Sequence, residues 1–175
     1  HKRQHATLLR GPEGGVGPAG SGHSWRPLIP SKTAVVKLDH VADVGDVDPQ
    51  TQQAWLGAGG RLHDLSPALA DRGYAFRNLG DIDVQTLAGA TSTGTHGTGQ
   101  TLPGLAADIQ GLRLVTGTGE HIEISADDNP EWLDGWRVAR GAPGSLHAIK
   151  MQLVRRVTLH RQALPDSRSP PLHPS

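Results

Sequence analysis

Residues 18–25 read PAGSGHSW, a short stretch with two glycines and an embedded histidine. Its two glycines allow a turn that points successive backbone N–H groups to one side, an arrangement that suits phosphate oxygens. Ser21 and Ser24 add hydroxyl groups, and a ring nitrogen of His23 can act as a nucleophile or a proton carrier. The spacing matches neither a Walker loop nor a Rossmann fingerprint. Composition alone favours an ordinary turn, whereas the embedded His23 favours a site beside a cofactor.

A second glycine-rich stretch, GATSTGTHGT, covers residues 89–98 and also contains a histidine, His96. Runs of Gly, Ser and Thr are commonly linkers. This run lies between patterned segments, however, and the apolar residues Val84 and Leu87 just before it indicate that it is anchored in a core. Two such loops about seventy residues apart fit an elongated diphosphate cofactor better than two unrelated turns.

Hydrophobic patterning predicts short strands and helices around these loops. A helix is expected over 62–72, with Gly73 as the residue that follows it, and a second over 130–139 with Asn129 as its N-cap. The stretch 80–104 is rich in small residues and is expected to bury little, with residues 89–98 as a loop, and residues 1–18 show little periodicity. The predicted strands cover residues 33–39, 52–57, 111–115, 121–125 and 146–154, of which 111–115 and 121–125 form a hairpin around Gly117–Gly119.

Composition limits the classes of function. Of 175 residues, 23 are Gly and 13 are Pro, which indicates many short elements joined by turns in a β-rich or α/β chain. The net charge of zero argues against nucleic acid and membrane surfaces as partners. Without an apolar run long enough for a membrane span or a signal peptide, the cytoplasm is the expected location. The absence of Cys excludes disulfides and a cysteinyl cofactor link, and the ten scattered His residues predict no metal site.

Five motifs, in order along roughly residues 14–156, resemble the vanillyl-alcohol-oxidase-type (PCMH-type) FAD-binding domain. The resemblance is greatest to its sugar-1,4-lactone oxidase and alditol oxidase branch. The motifs are GSGHSW at 20–25, WLGAGGRLHDL at 55–65, NLGDIDVQTLAGATSTGTHGTG at 78–99, LRLVTGTGEHIEIS at 112–125 and ARGAPGSLHAIKMQLV at 139–154.

This resemblance implies an α+β fold with two small α/β subdomains, the first incomplete, and FAD extended between them. The FAD-binding domain would cover residues 1–156, in partial form, residues 157–175 would be a disordered tail, and the family's substrate domain would be absent. The flavin would be attached covalently to His23. The other expected cofactor-binding residues are Ala19, Gly20, Ser21, Gly22, Ser24 and Trp25 in the first loop, Thr86, Thr91, Gly94 and Thr98 in the second, and the backbone of Ile149. No catalytic residue is predicted, and His96 matches a family position without a catalytic assignment.

The activity implied is oxidation of a CH–OH group in a polyol or sugar lactone, with hydride passing to flavin N5 and then to O2 or another acceptor. Two features depart from the family. Residues 1–18 do not supply the βαβ unit expected before the first loop, and His147 replaces a glycine, which is costly if that position needs a positive φ. Two alternatives are a truncated or degenerate FAD-binding fragment without catalysis, and a metal- or sugar-binding module that uses the histidines.

Overall fold

The computed structural model describes residues 16–24, 34–139 and 144–158. Trp25 and the greater part of the predicted tail therefore lie outside the described residues. The strands are β1 (Val16–Ala19), β2 (Ala34–Lys37), β3 (Gln53–Gly57), β4 (Tyr74–Ala75), β5 (Ile109–Val115), β6 (His121–Ser125), β7 (Ser145–Gln152) and β8 (Val154–Arg155). The helices are α1 (Leu62–Ala70), α2 (Leu87–Ser92) and α3 (Pro130–Trp136), with one 3-10 turn at Leu105–Asp108. Within these ranges no helix has the length and apolar character needed to cross a bilayer.

An antiparallel sheet in the order β3-β7-β5-β6 forms the centre of the described fold. Alternate residues of these strands face the core, because side chains in a strand alternate between the two faces of a sheet. Leu56 of β3 is paired with Ile149 of β7, which is also paired with Leu112 of β5, and all three side chains are buried. The four central strands lie within or close to the predicted ranges, so the strand predictions for this sheet are confirmed.

Helix α1 and the β5–β6 hairpin also confirm their predictions. Leu62, Leu65 and Leu69 of α1 are buried, as the spacing of apolar residues predicts, and Gly73 follows the helix with φ +81°. Helix α3 begins at Pro130 after Asn129, but the Asn129 side chain makes no capping hydrogen bond. The position of this helix start was therefore correctly predicted, while the expected side-chain cap is not formed.

The first described strand corrects the expectation for residues 1–18. Val16–Ala19 form β1, which pairs in parallel with β2 from Val16 opposite Ala34 to Ala19 opposite Lys37. The sequence VGPA contains Gly and Pro and has no alternation, so local patterning gives no strand signal. Its pairing with a segment about eighteen residues away makes it a strand, and it leads directly into residue 20 of the first glycine loop.

Helix α2 corrects the predictions that residues 80–104 bury little and that residues 89–98 form a loop. Leu87, Ala90 and Thr91 are all 0% exposed, so small side chains here allow close packing of a short helix. The sequence LAGATS lacks the apolar period of a longer amphipathic helix, because Ala and Gly fill positions where larger residues would mark a face. The Gly/Thr-rich stretch is therefore half helix and half loop.

His147 occupies an ordinary strand position in β7. Gln52 is the one non-glycine residue with positive φ in the part of the chain that the structure describes, so His147 does not adopt that conformation. Its carbonyl oxygen accepts a hydrogen bond of 3.1 Å from the Ala58 amide. The backbone cost that a positive φ would impose on His147 therefore does not arise.

Candidate functional site

The fold brings the two glycine-rich stretches into direct contact. We call residues 20–24, which follow β1, the first loop, and residues 84–98, which include α2, the second segment. Ser21 Oγ donates a hydrogen bond of 2.6 Å to the Val84 carbonyl oxygen, across 63 positions of sequence. The two stretches that the sequence singled out separately therefore form one site.

Gly20 lies close against the second segment. A Cβ atom built on Gly20 would lie 2.6 Å from Thr86 Oγ1 and 3.7 Å from the Gly89 Cα atom. The first distance is too short for real carbon and oxygen atoms, so any side chain here would push the two stretches apart. Glycine at position 20 is therefore required by close approach.

Thr86 is the N-cap residue of α2, where its extended backbone (φ −71°, ψ 152°) precedes the first helical residue. Its Oγ1 accepts a hydrogen bond of 3.2 Å from the Gly89 amide, and the residue is 4% exposed. This bond satisfies one of the amides that a helix leaves without an internal partner. The same oxygen faces Gly20, so the cap also fixes the surface against which the first loop lies.

Main-chain hydrogen bonds attach the start of the second segment to the turn between β3 and α1. The Leu87 amide donates a hydrogen bond of 2.8 Å to the Gly60 carbonyl oxygen, and the Ala88 amide donates one of 3.0 Å to the Ala58 carbonyl oxygen. In return, the Leu62 amide donates to Gln85 at 3.0 Å. These bonds place the second segment on the edge of the core, and the first loop lies on this fixed support.

The outer part of the first loop is open. Gly22 has φ +76°, and Gly22, His23 and Ser24 are exposed. Among the described residues, none accepts a hydrogen bond from the amides of residues 20–24. Unpaired amides in a tight turn provide donors for anionic oxygens such as those of a diphosphate. The loop therefore fits the phosphate-bearing part of FAD, and the His23 ring is accessible beside it.

Thr91 and Gly94 have structural roles within the second segment. Thr91 Oγ1 donates to the Leu87 carbonyl oxygen at 2.8 Å, and the side chain is fully buried. Gly94 follows the end of α2 with φ +71°, and its amide donates to the Thr91 carbonyl oxygen. Together with the bond from the Thr95 amide to Ala90, this is the Schellman arrangement that ends many helices. Their predicted contact with the cofactor stays a prediction.

The remaining predicted site residues are more widely spread. Thr98 is exposed on the second segment, and Ala19 is the last residue of β1 before the first loop. Ile149 lies within β7 between β3 and β5, with its side chain in the core. The structure thus brings Gly20 against Thr86 and Ser21 against Val84, while it places Ile149 inside the sheet.

An ion pair between the buried Asp108 and the partly exposed Arg77 was not predicted. Asp108 is 3% exposed, and its Oδ1 lies 3.2 Å from Nη2 of Arg77. Burial raises the pKa of the Asp108 carboxyl group above its ordinary value, and the positive charges of Arg77 and Arg137 oppose this rise only in part. A single acidic residue within the apolar run LAADI was the one available signal for this pair.

The contact made by Val84 was also missed, and no sequence signal could have revealed it. The group that accepts the Ser21 hydrogen bond is a backbone carbonyl oxygen, which every residue type carries. Only the packing of β1 beside β2 and of the second segment on the core brings this oxygen to Ser21.

Comparison with known proteins identifies the family of this chain. Residues 13–125, well over half of the chain, match the family model described as FAD binding domain. The chain is 39% identical over 142 residues to L-gulono-1,4-lactone dehydrogenase of Mycobacterium tuberculosis, with 81% of this chain and 32% of that protein covered. It is 30% identical over 165 residues to L-gulonolactone oxidase of Bos taurus, with 94% of this chain and 38% of that protein covered.

A solved structure of alkyldihydroxyacetonephosphate synthase has the same fold over 80% of this chain and 27% of that one, with a TM-score of 0.72 and 20% identity. The chain spans about a third of the length of the two lactone-oxidising relatives. Its mixed α/β architecture with antiparallel strands is the PCMH-type fold expected from the sequence. On the extent of the family match and this shared architecture, the chain belongs to the FAD-binding domain family.

Proposed function

We propose that this chain forms the FAD-binding part of an oxidoreductase that oxidises a CH–OH group of a sugar 1,4-lactone or polyol, with the flavin attached to His23. The observation that carries the proposal is the contact between the first loop and the second segment in a chain of this family. The names of the relatives, which include lactone dehydrogenases and oxidases, support the substrate class.

In this proposal the flavin, when bound, would supply the redox chemistry, with the substrate as hydride donor and O2 or another compound as electron acceptor. The residues of the chain bind the cofactor and orient it. The open amides of the first loop receive diphosphate oxygens, and the capped start of α2 supports that loop from beneath. The exposed ring of His23 provides the nucleophilic nitrogen.

Covalent attachment of the flavin to His23 would be a two-electron oxidation. The ring N–H and one C–H bond of the flavin 8α-methyl group are replaced by one C–N bond. Two protons and two electrons are released, and the electrons leave with the same class of acceptor that the proposed reaction uses. The chain has no Cys, so a cysteinyl link is excluded.

The test is to express the chain with excess FAD, denature it, separate it on an acidified gel and record flavin fluorescence. We expect fluorescence in the wild-type band and none in His23→Ala. His96→Ala is the matched control: it is an exposed histidine of the second segment, with Nδ1 2.9 Å from the Gly97 carbonyl oxygen, and it should keep the signal.

A dark wild-type band from a yellow native protein would reject the covalent link and leave FAD binding in place. A colourless native protein would reject FAD binding by this chain.

A further inference from the structure

The Ser21 hydroxyl is already committed to the protein. It has one proton, and that proton is donated to the Val84 carbonyl oxygen at 2.6 Å. Diphosphate oxygens are acceptors, so Ser21 cannot donate to them while this bond exists. The predicted role of Ser21 as a hydroxyl donor to the cofactor therefore conflicts with the bond that the structure shows.

The position of this bond indicates a different role. Ser21 lies between Gly20, which touches Thr86, and Gly22, whose φ of +76° turns the chain towards His23. Val84 lies in the segment that main-chain bonds hold against the β3–α1 turn. The bond therefore connects the loop to a segment that main-chain hydrogen bonds hold on the core.

We infer that Ser21 is a positioning residue: its bond to Val84 fixes the first loop on the second segment and so holds the His23 ring where the flavin is attached. The last step rests on the proposed function. The connection between the loop and the second segment rests on the contacts alone.

The inference is tested with Ser21→Ala, which removes the donor, and Ser21→Thr, which keeps it. Ser125→Ala is the matched control, because Ser125 Oγ donates a bond of the same length, 2.6 Å, to Asp128 in a turn outside the site. Ser21→Cys, with a weak donor of similar size, provides a second variant should the alanine variant fold poorly.

The first readout uses the FAD-free chain. We expect 15N relaxation to give the Gly22 and His23 amides order parameters of about 0.85 in the wild type and below about 0.6 in Ser21→Ala. Ser21→Thr and Ser125→Ala should match the wild type. Unchanged order parameters in Ser21→Ala would overturn the inference.

The second readout is the fraction of chains that carry linked flavin after incubation with FAD. We expect Ser21→Ala to lower the initial rate of linkage about two- to tenfold, the range for loss of one hydrogen bond, and Ser21→Thr to restore it. Lower order parameters in Ser21→Ala together with an unchanged rate of flavin linkage would overturn the positioning role.

If the wild type links no flavin, the attachment proposed for His23 is wrong, and the order parameters then decide the role of Ser21. Lower order parameters in Ser21→Ala support the role of Ser21 in holding the loop, and unchanged order parameters overturn that role.

Discussion

At the scale of single residues, the close packing of Gly20 against Thr86 makes stability sensitive to any side chain added at position 20. Gly20→Ala should lower the free energy of unfolding by about 1–3 kcal/mol, the usual cost of overpacking, because its Cβ would lie 2.6 Å from Thr86 Oγ1. Urea unfolding measures this cost. Gly117→Ala is the matched control, since a Cβ atom there meets nothing within 4 Å.

The cause of that cost can be isolated with a double-mutant cycle. Thr86→Ala removes the Oγ1 atom, and the next nearest atom to the new Cβ is then the Gly89 Cα at 3.7 Å. Gly20→Ala should therefore cost at least about 1 kcal/mol less in the Thr86→Ala background than in the wild type. Equal costs in both backgrounds would contradict the contact.

Asp108 predicts a pH dependence of stability. Its pKa in the folded chain is raised above the ordinary value of 3.8, first by burial, so the folded state binds the proton more tightly than the unfolded state. The wild type should therefore lose stability, relative to Asp108→Asn, as the pH rises from about 3.8 through the raised pKa. Urea unfolding of both chains between pH 4 and pH 7 measures the difference.

The control for this effect is Asp128→Asn, an exposed carboxylate in the turn after β6. A stability difference between wild type and Asp108→Asn that is constant across the range, or that changes in favour of the wild type with rising pH, would contradict the raised pKa.

At the scale of elements, a Gly→Ala substitution should have opposite effects on stability after α2 and within α3. Gly94→Ala should destabilise the chain by about 1 kcal/mol, because alanine is strained at φ +71° although space is available. Gly135→Ala should stabilise it by about 0.5 kcal/mol, because Gly135 lies within α3 and its Cβ would meet nothing within 4 Å. Thermal or urea unfolding measures both, and effects of the same sign would contradict the account.

The elements also show where sequence patterning succeeds. β3, β5, β6 and β7 could be predicted because one face of the sheet is buried and the apolar residues alternate. Helix α2 was missed because LAGATS has no apolar stripe, although Thr86 as N-cap and Gly94 after the helix were available signals. β1 was missed because its sequence, VGPA, is a strand only through its pairing with β2.

At the scale of the whole molecule, the motifs of the site can be recognised in the sequence, but their arrangement in space cannot. The resemblance predicted the family and the fold, and the family match and the shared architecture confirm both. The hydrogen bond between Ser21 and Val84 joins residues 63 positions apart, and its acceptor is a backbone atom, so residue types alone could not predict it. The same packing determines that the second segment supports the first loop.

The most direct test of the central claim is the mass of the chain after purification with FAD. The denatured wild type should be heavier than the bare chain by the mass of one FAD less two hydrogens, with the added mass on the peptide containing His23. His23→Ala should have the mass of the bare chain. A bare wild-type chain, or an added mass on any other residue, would contradict the claim.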